Sequence, residues 1–213
     1  MTTTFASFLV EVIPYVPNVM DYVAVNAVRN SAIEFCEKTR IWQFDSFKDG
    51  LSATSADYTP DVPPNTRLVD IIQVWVDGRL MIPKTSDELT RLYRGQDWRN
   101  VGGVPGYMTR RDHQTITLVP YPTVASVGNL TMRVSVAPMR SAADIDTDLY
   151  ENYLEAICMG ARARLYETPD QPYSSQPMAA ECWKRFRKHI GDTKIKLNKG
   201  LTRGPMRVEF QRF

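Results

Sequence analysis

The stretch DLYENYLEAICMGARARLYETP, residues 148–169, decides the fold. Leu149, Tyr153, Ile157 and Ala161 recur at helical spacing as one apolar stripe, backed by Leu154, Cys158 and Leu165. Asp148, Glu151, Glu155 and Arg162 face outward. Ala156, Gly160 and Ala163 leave little bulk along part of this helix, so another backbone can approach closely. Thr168-Pro169 ends it, and Pro172 and Pro177 shape a bend. A second helix follows with Ala179, Cys182 or Trp183, Phe186, Ile190, Thr193 and Leu197 on one face.

Toward the N-terminus, the apolar segment from Phe5 to Ile13 stops at Pro14 and Pro17, and Asn18 is placed to cap a long helix. Met20, Ala24, Val28, Ala32, Phe35 and Thr39 share one face of it, with Asn26, Asn30, Glu34 and Glu37 opposite. Val25 and Ile33 lie off that stripe, which predicts a second burial partner in the same fold or in a neighbouring subunit.

Between Trp42 and Met139 the period changes to two. Leu130, Met132, Val134 and Val136 alternate with Thr131, Arg133, Ser135 and Ala137, the pattern of a strand with one buried face. Leu68–Val76 meets Asp77-Gly78 and resumes as Arg79-Leu80-Met81-Ile82, a hairpin signal. Thr115–Val119 is a further strand, and Thr85 with Glu88 forms a capping box for a short helix. Gly95–Arg111 is rich in glycine and arginine and long for a connection, so it is expected to project as a loop. The fold class is α+β: a helical bundle of N- and C-terminal helices (1–42 and 140–199), an inserted antiparallel β-rich region (43–139), and an extended C-terminal tail (200–213).

At 213 residues, 43% of them apolar, the chain can bury a real core as one elaborated domain. No apolar run approaches the roughly 20 residues that cross a bilayer, and Met-Thr-Thr-Thr-Phe lacks the basic-then-apolar start of a signal peptide. Assembly in a cytoplasm, away from membranes, is expected. Cys36, Cys158 and Cys182 each sit in an apolar helical stretch and read as small buried thiols. Charge is segregated: Lys184 to Phe213 holds ten Lys or Arg against Asp192 and Glu209, a local +8 in a chain of +2, which leaves −6 for residues 1–183. Such a split suits an assembly surface better than a catalytic pocket.

Signals of site chemistry are sparse. Asp144, Asp146, Asp148, Asn152 and Glu155 fall on calcium-loop positions, but Leu149 occupies the position where that loop needs glycine, so the acids read as helix caps. His113 and His189 have no sequence-local partner for a metal pair or a catalytic dyad. Gly102-Gly103-Val104-Pro105-Gly106 lacks the lysine and spacing of a phosphate loop. No catalytic residue, metal or cofactor is assigned. Arg94, Trp98, Arg99, Tyr107, Arg110 and Arg111 mix cations with aromatics in a way that suits nucleic acid or a protein partner. Beyond Gly204-Pro205, Val208 and Phe210 alternate with Arg207, Glu209 and Gln211, a short strand able to add to another chain's sheet edge.

Val12-Ile13-Pro14-Tyr15-Val16-Pro17, the helix through Ala32-Ile33-Glu34-Phe35-Cys36, Leu118-Val119-Pro120-Tyr121-Pro122, and Tyr153-Leu154-Glu155-Ala156-Ile157 with its proline bend occur in this order. Together they resemble the head-to-tail adaptor (connector) proteins of tailed bacteriophages over nearly the whole chain. That resemblance implies a non-enzymatic virion component of the neck. It would form a homo-oligomeric ring, usually a dodecamer, beneath the portal protein, continuing the DNA channel and docking tail, nozzle or stopper proteins. It also implies that the C-terminal segment reaches the portal, with Arg203, Arg207, Val208, Phe210, Arg212 and Phe213 as contact candidates. Two other functions compete: a basic nucleic-acid-binding regulator using the C-terminal helix and tail, and a hydrolase that would have only His113, His189 and scattered carboxylates to draw on.

Overall fold

A computed structural model describes residues 1–51, 55–123 and 129–199. Along the chain run β1 (Thr2–Thr4), a 3-10 turn (Phe5–Phe8), α1 (Leu9–Val12), α2 (Asp21–Thr39), β2 (Gln43–Asp49), β3 (Asp57–Tyr58), β4 (Thr66–Val76), β5 (Arg79–Leu80) and β6 (Ile82–Pro83). Then come α3 (Ser86–Leu92), a second 3-10 turn (Trp98–Asn100), β7 (Gly102–Gly103), β8 (Tyr107–Arg110), β9 (Ile116–Val119), β10 (Tyr121–Pro122), β11 (Asn129–Pro138), β12 (Asp144–Asp146), α4 (Thr147–Tyr166) and α5 (Gln176–Lys199). The class is α+β, and the chain divides at Ile41 and Pro138 into a helical unit and a β unit, Trp42–Ala137.

In the helical unit, α2 begins without a side-chain cap. Asn18, expected to supply one, is held at φ 65°, a left-handed turn conformation that asparagine tolerates, and Met20 takes the N-cap position. Ala24, Val28, Ala32, Phe35 and Cys36 form the buried face of α2, and the off-stripe Ile33 is buried as well. α4 starts where the Asp146 carboxylate accepts the Asp148 N–H at 3.0 Å, so this acid caps the helix while its strand pairs with β1. Tyr153, at φ −132° and ψ 17°, interrupts the helical dihedrals.

α5 runs antiparallel to α4, closest at Gly160. A Cβ built there would lie 3.0 Å from the ring of Phe186 and from Ser31 Oγ, which is the close approach that the small-residue run predicts. Phe35, Ile157, Ala161, Leu165 and Phe186 are all but completely buried around it. Burial of these side chains holds the three helices together, at about 1.5 to 3 kcal/mol for each large apolar group. The bend between α4 and α5 is tied by Ser175 N–H to the Tyr166 carbonyl at 3.0 Å.

A further expectation fails in this unit. Arg162 does not face out: it is buried, and its guanidinium donates to the Glu11 backbone carbonyl. A long cation can occupy an interior position where a backbone oxygen and an aromatic face receive it.

The β unit contains two four-stranded sheets, ordered β2-β11-β4-β5 and β3-β9-β8-β6. The hairpin at Asp77-Gly78 forms with φ of 50° and 75°, the left-handed pair required by a type I′ turn. The chain then changes sheets at Met81, so that β6 pairs with β8 instead of extending β5. Leu130, Met132, Val134 and Val136 are buried in one core with Ile71, Val74, Ile116 and Leu118. Ser135 and Ala137, expected on the solvent side of β11, are also buried, because the end of this strand is enclosed on both faces. The Thr85–Glu88 capping box is present, with Thr85 N–H donating to Glu88 Oε2 at 2.9 Å and Glu88 N–H to Thr85 Oγ1 at 3.3 Å.

Candidate functional site

The segment Gly95–Arg111 is not one projecting loop. It folds as the second 3-10 turn, β7 and β8, because Trp98 has an apolar niche to fill. Trp98 is 5% exposed and packs with Leu89 and Val119, while the half-buried Tyr93 and Tyr107 close over that cluster. Its indole N–H finds no partner among the described residues. Asp97 caps the turn by accepting the Arg99 N–H at 3.1 Å.

This packing brings four of the six loop candidates to one cleft of about 510 Å³, lined by Trp98, Arg99, Arg110 and Arg111 with Asp57 and Thr117. The Arg99 guanidinium stacks 4.3 Å from the centroid of the Trp98 ring and pairs with Asp97 at 3.3 Å. Arg110 pairs with Asp70 at 2.5 Å and donates to the Ile71 carbonyl. Arg111 reaches Asp57 at 3.0 Å, and Thr117 Oγ1 donates to the same carboxylate at 2.5 Å. Each arginine is thus oriented by an acid and nearly neutralised by it. The surface offers directed N–H donors more than net positive potential. Arg94, at φ 42°, is exposed beyond the end of α3 and does not line the cleft, nor does Tyr107.

Nucleophile and acid–base chemistry find little support in this cleft, whose titratable side chains are arginines and Asp57. His113 is exposed in the bend between β8 and β9, where Asp112 accepts the N–H groups of Gln114 and Thr115 and turns the chain. Those two amides hold the Asp112 carboxyl below the usual carboxylate range. His189 is half-buried on α5, beside a separate cleft of about 500 Å³ shared with Tyr153, Glu155 and Asp192. Burial pushes the thiols of Cys36 and Cys158 up to about 12, so neither is a ready nucleophile. Among the described residues, no group of three His, Cys, Asp or Glu is placed to hold a metal, and no helix is long and apolar enough to cross a membrane.

Arg203, Arg207, Val208, Phe210, Arg212 and Phe213 lie outside the described residues. Val10, Ile13, Tyr15, Met20 and Tyr22 are exposed apolar side chains of the helical unit, a run that helical spacing does not predict. The signal lay in Pro14 and Pro17, which prevent a continuous helix from turning all of these groups inward.

A comparison with curated proteins finds no match to this sequence. The profile of the SU10 adaptor protein family matches residues 3–209, and the chain belongs to that family: it is a bacteriophage adaptor, a structural component of the virion that works by contact with other head and tail proteins.

Proposed function

We propose that the chain assembles as a dodecameric ring in the virion neck, beneath the portal. There it continues the DNA channel without reading base sequence and presents the surface on which tail, nozzle or stopper proteins dock. The observation that carries this reading is the adaptor-family match across residues 3–209, which takes in both the helical and the β units. The charge split of the sequence adds to it, since a basic C-terminal end on an otherwise acidic chain favours joining over catalysis. Assembly takes place in the host cytoplasm.

In this reading residues 200–213 are the portal-docking arm. Val208, Phe210 and Phe213 supply the apolar contacts, and Arg203, Arg207 and Arg212 meet acidic groups on the portal. The acid-oriented arginines of the β-unit cleft, Arg99, Arg110 and Arg111, meet carboxylates of a tail component or a neighbouring subunit, and the exposed Arg94 adds to that surface.

Electron microscopy of purified portal mixed with the full chain tests the proposal, with the chain lacking residues 200–213 as the comparison. Rings on the portal, lost on truncation, are expected. Single chains at every concentration would refute the ring, and undiminished portal binding by the truncated chain would refute the arm.

A further inference from the structure

Among the described residues, the helical unit carries two exposed surfaces of opposite chemistry. Between Val10 and Tyr22, Val10 is 75%, Tyr15 54%, Met20 64% and Tyr22 66% exposed. Apolar groups this numerous and this close in the chain form the kind of patch that marks a contact surface. The first 28 residues contain no Lys or Arg, and their only charges are Glu11 and Asp21.

On α5, Met178, Glu181, Arg185, Lys188, Asp192 and Ile195 recur at steps of three and four and are all exposed, with Lys184 exposed beside them. Residues 184–199 carry seven Lys or Arg against Asp192, a net of +6. The rest of the helical unit up to that point, residues 1–41 and 138–183, has a net of −6.

The two surfaces are borne by different elements, which α4 receives mainly through different residues. The N-terminal segment is received by Cys158, Arg162 and Tyr166, through Cys158 Sγ to the Phe8 carbonyl at 3.8 Å, Arg162 to the Glu11 carbonyl, and the Tyr166 hydroxyl to the Tyr15 carbonyl at 2.7 Å. α5 is received by Gly160, against Phe186, and by Arg164, over the Trp183 ring at 4.9 Å. Two positions along an α-helix turn through roughly 200°. Cys158 and Arg162 therefore face nearly away from Gly160 and Arg164. Both patches are exposed, which leaves each free to meet another copy. Joined between copies they make a head-to-tail contact, and repetition of such a contact closes as a ring when the rotation between successive copies divides the circle.

We propose that the turn Val10–Tyr22 of one copy docks on the outer stripe of α5 of the next, its apolar groups against Met178, Ile195 and the lysine stems, and Asp21 toward Lys184 or Lys188. This contact rests on the ring reading above and names the surfaces that would make it. Met20→Cys in one chain and Lys188→Cys in another, mixed and assembled on purified portal, place an accessible thiol on each face, since the natural cysteines are buried. A bismaleimide is expected to join the two variants in the mixture and neither variant to itself. Lys188→Glu is expected to raise the concentration needed for assembly by about tenfold, and Asp21→Lys in the same chain to recover part of that loss.

Rings that form in micrographs without the cross-link would overturn the contact and leave the ring standing. If Lys184→Glu with Lys188→Glu then weakened duplex DNA binding instead of assembly, α5 would face the channel, and the contact would again be overturned. Chains that stay single on the portal would remove the ring, and this contact with it.

Discussion

The guanidinium of Arg162 lies 3.6 Å from the centroid of the Tyr15 ring, while its nitrogens donate to the Glu11 carbonyl and one lies 3.5 Å from the Glu11 carboxylate. One buried side chain thereby fastens the N-terminal turn to α4, and with it the apolar groups that the turn exposes. Replacing Arg162 by Leu removes the cation from the ring and leaves a backbone oxygen with no donor. Urea unfolding is expected to show a loss of about 2 to 3 kcal/mol. A change within error would mean that the turn is held by Phe5, Phe8 and Val12 alone.

Gly160 and Gly191 make a matched pair of tests on facing helices. At Gly160 an added methyl meets the Phe186 ring and Ser31 at 3.0 Å, whereas at Gly191 nothing lies within 4 Å. Gly160→Ala is expected to destabilise by about 1 to 3 kcal/mol through overpacking. Gly191→Ala is expected to stabilise by up to about 1 kcal/mol through the better helix propensity of alanine. Thermal melts of the two variants that moved in the same direction would contradict this packing.

The Asp45–Arg133 pair should leave a pH signature. Arg133 donates two hydrogen bonds to Asp45, at 2.8 and 3.0 Å, and they hold the carboxyl below its ordinary value. A carboxylate with a depressed folded pKa adds stability that is present above its unfolded pKa, near about 3.9, and lost as the pH falls through the folded value. Asp45→Asn is therefore expected to be less stable than the parent at neutral pH, by less than ~1 kcal/mol because solvent reaches and screens the half-exposed pair. The two unfolding curves should converge in acid. A gap that widened below pH ~3 would reverse the assignment.

The thiols offer a probe of integrity. With Cys36 and Cys158 pushed to about 12 by burial and Cys182 also raised, chiefly by burial, native chain is expected to resist a thiol reagent at neutral pH and to react at all three positions once unfolded. Rapid labelling of the native chain would show that α4 or α5 opens readily.

Much of the fold was legible because it depends on local rules. The apolar stripe of α4, the small residues that admit Phe186, the Asp77-Gly78 hairpin and the Thr85–Glu88 capping box are set by spacing or by residues three apart. The candidate site was only partly legible. Arg99, Arg110 and Arg111 stood out as cations, but a run of arginines carries no information about which acids orient them. Asp57 and Asp70 are brought to Arg111 and Arg110 by sheet pairing and side-chain reach across the β unit, and Trp98 became core when Leu89 and Val119 closed around it.

The succession of helices and strands, the segregation of charge and the likeness to phage adaptors are readable from the chain alone, since each depends on the order and type of residues. Long-range packing is what turns Arg162 inward, buries Trp98, and leaves the apolar turn and the basic stripe of α5 exposed. Burial of a cation or exposure of a surface depends on partners distant in the chain: the Glu11 carbonyl for Arg162, and Leu89 and Val119 for Trp98.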